Sequence, residues 1–159
     1  IVSIDLGAKF DGYHGDNAAT FACGDVSSEA KRLMDTTRES LYEGIRAACA
    51  GGRIGDIGHA VQSYVEARGY SVVRQFVGHG VGTHLHEAPE VPNFGTPGRG
   101  IRLLPGMTIA IEPMVNAGGY DVKVQPDGWT VLTKDGSLSA HFEHTIVITA
   151  DGPKIMTVV

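Results

Sequence analysis

The sequence predicts an α+β fold, an antiparallel sheet with its helices gathered on one side. Two observations carry this expectation. A hairpin pattern is followed by two helical patterns and then by a run of strand patterns, so helices and strands are segregated rather than alternating. Glycine is also abundant, at 22 of 159 residues, as suits a chain that turns tightly between many short strands. A chain of this length is expected to form a single domain, or part of one, with a real core.

Residues 1–23 carry the hairpin pattern. Ile4, Leu6 and Phe10 flank polar positions, Asp11-Gly12 is a favoured two-residue turn, and Ala18 to Cys23 continue the return strand. With Asp11 and Gly12 as the loop, Phe10 faces Tyr13 and Gly7 opposes Asp16. Asp5 then points to the same face as Asp16, as a diagonal cross-strand neighbour, and His14 falls on that face too. The chain opens on Ile1 inside this alternating run, so it is expected to start in mid-strand, as a piece of a longer domain.

Residues 28–50 predict a helix. Ser27 or Ser28 caps it, Glu29 suits its first turn, Ala30, Leu33, Leu41, Ile45 and Ala48 keep a helical period, and Gly51-Gly52 stops it. A second helix is predicted over Ile57 to Arg68, with Asp56 as cap, Val61, Tyr64 and Val65 as its apolar stripe, and Gly69 at its end. Strands follow at Ser71–Val77, Met107–Glu112 and Phe142–Thr149. Asp121–Gln125 is expected to pair with Trp129–Thr133 across Pro126-Asp127-Gly128. Residues 87–106 hold four of the seven prolines and are expected to be a connection.

Composition narrows the function. Apolar content of 42% and charged content of 19% are ordinary for a globular protein. The net charge is −5 and the 13 basic residues are scattered, which argues against nucleic acid as a partner. No apolar run approaches the ~18 residues of a membrane span. Cys23 and Cys49 form no CxxC and no framework, so free thiols and a reducing compartment are expected.

Five metal-capable side chains stand out. Asp5 and Asp16 lie 11 residues apart, His79 sits in GHGVG, Glu112 in TIAIEPMVN and Glu143 in SAHFEHTIVIT. Singly, each has an ordinary explanation: a solvated hairpin charge, a surface histidine, a strand-edge carboxylate. Together they call for a common one. Carboxylates aimed at one spot repel unless a cation lies between them. Two neighbouring divalent cations in turn need anionic bridges, and such a pair makes a nucleophile of water near neutral pH. Glu112, before Pro113 at the end of an apolar strand, is costly to bury without a cation or a donor. His84 and His86, two apart on an extended segment, stay open as a minor pair.

D-x10-D ending in HGD, GHGVG followed by HEAPEVPN, GMTIAIEPMVN and SLSAHFEHTIVIT occur in this order and cover nearly the whole chain. Together they resemble methionine aminopeptidase, of the M24 "pita-bread" metallopeptidases that include prolidase, aminopeptidase P and creatinase. Only 31 residues separate Glu112 from Glu143, with no helical insertion, which resembles the type I, bacterial and organellar class. EPMVN and WTVLTKDGSLSAHFEHT point to methionine aminopeptidase over prolidase.

The resemblance implies two divalent ions, of Co, Mn, Fe or Zn. Asp5 would bind one, His79 and Glu112 the other, and Asp16 and Glu143 would bridge them. A bridging water would attack the scissile carbonyl with Glu112 as proton shuttle. His86 would contact the substrate carbonyl and the tetrahedral intermediate, and Trp129 would line the cleft. Ser139 would lie near a monovalent cation, Na or K. His14 and His84 match no ligand of the family. The family also has an upstream segment that supplies part of the methionine pocket and a further histidine, so an N-terminally truncated catalytic domain is expected. The expected protein is a cytoplasmic monomer that removes the initiator methionine from nascent polypeptides with a small second residue. The rivals are an Xaa-Pro-cleaving enzyme of the same fold and a catalytically inactive fragment.

Overall fold

The computed structural model describes residues 1–158. Strands β1 (Val2–Phe10) and β2 (Tyr13–Phe21) pair antiparallel, with Phe10 opposite Tyr13 and Gly7 opposite Asp16, the register the turn chemistry predicts. Asp11 and Gly12 take φ of 48° and 86°, and two successive positive φ values give a turn whose twist matches the flanking strands.

Helix α1 (Ser28–Ala47) is capped by Ser27, whose hydroxyl accepts the Ala30 N–H. Helix α2 (Ile54–Glu66) starts earlier than the sequence predicts, and Asp56 is not its cap. Arg53 holds that position. Asp56 sits three residues on, and its Oδ2 reaches back to the Arg53 N–H at 2.7 Å. Its Oδ1 accepts from Gly98 at 2.6 Å, so one carboxylate ties the start of α2 to the loop that crosses it.

The strands that follow are short. They are β3 (Ser71–Val72), β4 (Gly78–Gly80), β5 (Glu87–Val91), β6 (Thr108–Ile111) and β7 (Met114–Asn116). Next come β8 (Val122–Val124), β9 (Val131–Thr133), β10 (Ser139–His141), β11 (Glu143–Thr149) and β12 (Gly152–Ile155). The predicted strand over Ser71–Val77 shrinks to two residues. Past Val72 only the Val73 N–H still reaches β7, at the Met114 carbonyl. The predicted connection over 87–106 contains β5, which ends the main sheet, where proline is tolerated because no ladder bond is lost on the open side.

The main sheet runs β1-β2-β11-β6-β4-β5, with β12 beside the far part of β11. β10-β7-β3 form a second sheet and β8-β9 a separate hairpin, as the Pro-Asp-Gly turn predicts. Leu41 and Ile45 of α1 and Ile54 and Ile57 of α2 pack on Ile109, Ile111, Ile146 and Ile148. Leu33 of α1 and Val61 and Val65 of α2 pack on Val72, Val115 and Ala140. One face of the curled sheet is thereby sealed by helices. Strand alternation sends the residues between those isoleucines, and Glu112 and Glu143 beside them, to the other face. This is the pita-bread fold in its α+β form, as the sequence predicts.

Candidate metal centre

A continuous register builds the site. β6 pairs β11 with Ile111 opposite His144, and β7 pairs β10 with Met114 opposite His141. These are the same alignment either side of a short break, so Glu112 stands opposite Glu143. Across the other edge of β11, Glu143 stands opposite Ala18, and Ala18 opposite Asp5. Asp5, Ala18, Glu143 and Glu112 thus form one row across four strands. The methyl group of Ala18 leaves the middle of the row open. Asp16 lies two residues along β2, on the same face.

His79 closes the set from β4. Its neighbours are glycines because other backbone passes close by: a Cβ on Gly78 would strike the Ala110 carbonyl, and one on Gly80 the Ala88 carbonyl. The His79 Nδ1–H donates to the Gly80 carbonyl at 2.9 Å, which leaves Nε2 as the lone-pair nitrogen. That nitrogen lies 3.6 Å from Asp16 Oδ2 and 3.6 Å from Glu112 Oε1. These gaps are too long for hydrogen bonds and suit donor atoms that share a cation, each at ~2 Å.

Ligand atoms of His79, Glu112 and Glu143 lie within 4.8 Å of one another, as do those of Asp5, Asp16 and Glu143. Glu143 belongs to both groups. The donor set fits two divalent cations: four carboxylates supply the negative charge, and Glu143 and Asp16 are buried, at 2% and 5% exposure. Without cations this convergence is unfavourable. Burial, then the charges of Glu112, Asp16 and Asp5, push the Glu143 carboxyl up to about 9.

The sign of the resulting pH effect is fixed. The metal-free folded protein keeps a proton on Glu143 where the unfolded chain has lost it, from the ordinary value of 4.5 up to about 9. Its contribution to stability is complete below that window and is lost as pH rises through it. Metal-free protein is therefore expected to lose melting temperature over this range relative to Glu143→Gln, which has no such proton to lose. Parallel pH profiles for the two proteins would refute this.

Two buried threonines hold the ligand strands. Thr145 Oγ1 accepts the Asp16 N–H at 2.9 Å and donates to the Asp16 carbonyl at 2.8 Å. Thr20 Oγ1 does the same for His141, both at 2.8 Å. These pairs continue the β2–β11 register on either side of Glu143, with hydroxyls in place of main-chain partners. Asn93, fully buried, donates from Nδ2 to the Glu112 carbonyl at 3.0 Å. Sequence reading missed all three and His141. The register was the available signal, since it sets Thr145 opposite Asp16.

His86, Trp129 and Ser139 line the same cleft, of about 650 Å³. The His86 ring stands 4.1 Å from that of His79, and both can reach Asp16. Trp129, 87% exposed, sits in the loop that joins β8 to β9 and lines the cleft with Val124 and Leu132. Ser139 lines the cleft, and its hydroxyl donates to the Val115 carbonyl at 3.3 Å. His14 donates from Nδ1 to the Gly82 carbonyl, and His84 is exposed beside Glu87; neither belongs to a ligand group. Cys23 and Cys49 are free thiols. No helix among the described residues is long and apolar enough to cross a membrane.

The model of metallopeptidase family M24 matches residues 1–150. The methionine aminopeptidase of Clostridium acetobutylicum is 54% identical over 157 residues, covering 99% of this chain and 63% of that protein. Methionine aminopeptidase 1 of Bacillus subtilis is 55% identical over 157 residues, with 99% and 63% covered. Among solved structures, methionine aminopeptidase from Thermotoga maritima superposes with a TM-score of 0.96 at 50% identity, over 99% of this chain and 63% of that one. Prolidase from Pyrococcus horikoshii gives 0.77 at 25% identity, over 99% and 40%. The chain spans less than two thirds of the length of these relatives.

Proposed function

Because the chain belongs to metallopeptidase family M24, we propose that it carries the metal centre of a methionine aminopeptidase, which removes the initiator methionine from nascent polypeptides with a small second residue. The observation that carries this reading is the register row of Asp5, Glu143 and Glu112, which Asp16 joins from the same face and His79 from β4, beside an apolar-walled cleft. Identities above 50% to methionine aminopeptidases, against 25% to a prolidase, favour this substrate class over Xaa-Pro bonds.

On this reading His79 and Glu112 would hold one divalent cation and Asp5 the other, with Asp16 and Glu143 shared between them. The cations would supply Lewis acidity to the scissile carbonyl and activate water near neutral pH. Glu112 would accept a proton from the attacking water and deliver it to the leaving amine. His86, at the mouth of the cleft, donates to the carbonyl oxygen as negative charge develops there. Val124, Leu132 and Trp129 offer an apolar wall to the methionine side chain. A carboxylate-rich set with one imidazole suits Mn, Fe or Co, with Zn also accommodated. Ser139 is the proposed neighbour of a monovalent cation, Na or K. The enzyme would act as a monomer in the cytoplasm, where nascent chains are met.

A peptide panel tests the reading. Full-length protein loaded with Mn²⁺ is expected to cleave Met-Ala-Ser and Met-Gly peptides and largely to spare Leu-Ala and Ala-Pro substrates. A preference for Ala-Pro would move the protein to the prolidase branch.

A further inference from the structure

His141 ends β10, two residues before Glu143. Its ring is partly buried on the cleft wall, and its Nε2 lies 3.5 Å from Glu112 Oε2. That nitrogen is itself buried and has no hydrogen-bond partner. A buried polar atom without a partner is costly, and persists where some state of the protein uses it.

The two oxygens of Glu112 face two different imidazoles. Oε1 faces His79 Nε2 at 3.6 Å and Oε2 faces His141 Nε2 at 3.5 Å. The two rings are chemically opposite. His79 spends its Nδ1–H on the Gly80 carbonyl, so it turns a lone pair toward Oε1, an arrangement that calls for a cation between them. No such bond fixes the His141 ring, so its hydrogen is free to sit on Nε2, where a carboxylate oxygen is an acceptor.

We propose that His141 is a positioning residue for Glu112: its Nε2–H takes Oε2 and so aims Oε1 at the cation site shared with His79. The proposal rests on Glu112 being a metal ligand. Both ends of the arrangement are already fixed. Thr20 grips the His141 backbone through its N–H and its carbonyl, and the Ser3 hydroxyl bonds Thr20 in turn at 2.8 Å. Asn93 holds the Glu112 backbone at its carbonyl. Only the carboxylate is left to orient, and a shift of a few tenths of an ångström closes the remaining gap to a hydrogen bond.

Removing a hydrogen bond to a metal ligand typically weakens metal affinity by ~10- to 100-fold. The test titrates Mn²⁺ by calorimetry into metal-free full-length protein and into H141L, H141A, H141Q and E112A. H141L is expected to weaken one Mn²⁺ site by ~10- to 100-fold, with the melting temperature of the metal-free protein little changed. H141A gives the same result should the leucine variant fail to fold. H141Q presents an amide N–H at similar reach and is expected to restore most of the affinity. Parent-like affinity in H141L and H141A overturns the proposal, and so does an H141Q as weak as H141L, since ring packing alone would then explain the loss. E112A separates the two levels of the argument. If E112A binds Mn²⁺ as the parent does, Glu112 is no ligand and both readings fall. If E112A loses a site while H141L keeps it, only the role of His141 falls.

Discussion

Glu112→Gln is expected to lower kcat/KM on a Met-Ala peptide by about 10³-fold, within the range usual for loss of a general acid–base group. Glutamine keeps the volume of the side chain and the Asn93 bond to the backbone carbonyl. What it loses is the ability to carry a proton and the charge that faces His79 Nε2 at 3.6 Å. The loss should fall mainly on kcat, because the apolar wall at Val124 and Leu132 is untouched. Steady-state kinetics at saturating Mn²⁺ make the measurement. A decrease of less than tenfold would remove Glu112 from its role as proton carrier.

Glu143→Ala is expected to reduce tightly held metal from two ions per chain to one or fewer, and to abolish turnover. Glu143 is shared by the His79–Glu112–Glu143 group and the Asp5–Asp16–Glu143 group, so its loss reaches both cations. It also stands in the row between Glu112 and Ala18, and no neighbour in that row can replace it as a bridge. Metal analysis after dialysis, on the parent and the variant side by side, decides the matter. Equal content in the two would refute the bridging role.

The parts of this site legible in the sequence were those set by local chemistry. The Asp11-Gly12 turn determines the β1–β2 register, and with it the shared face of Asp5 and Asp16. The alternation of Ile109 and Ile111 on β6 places Glu112 on the face away from the helices. The parts that stayed hidden depend on partners far along the chain. His141 has no local signature, because its meaning comes from a register between β10 and β7 that brings it to Glu112. Thr145 matters through Asp16, which lies 129 residues away. The α2 boundary was misjudged because a carboxylate bonding back to the Arg53 N–H leaves the same sequence trace as one bonding forward. Pro89 of β5 and the three prolines that follow it suggest a loop, because sequence alone does not tell an edge strand from a connection.

The close passage of backbone on both sides of His79 has a genetic consequence. Every missense change of a glycine codon installs a side chain, and at Gly78 and Gly80 any side chain meets a carbonyl of a neighbouring strand. The two codons that flank that of His79 therefore have no tolerated missense neighbours, although neither encodes a residue that touches a cation. In a saturation library these positions should be as intolerant as the codon of the histidine between them. Depletion of variants there would report on strand spacing, and a map of intolerance taken at face value would overcount the ligands of this centre.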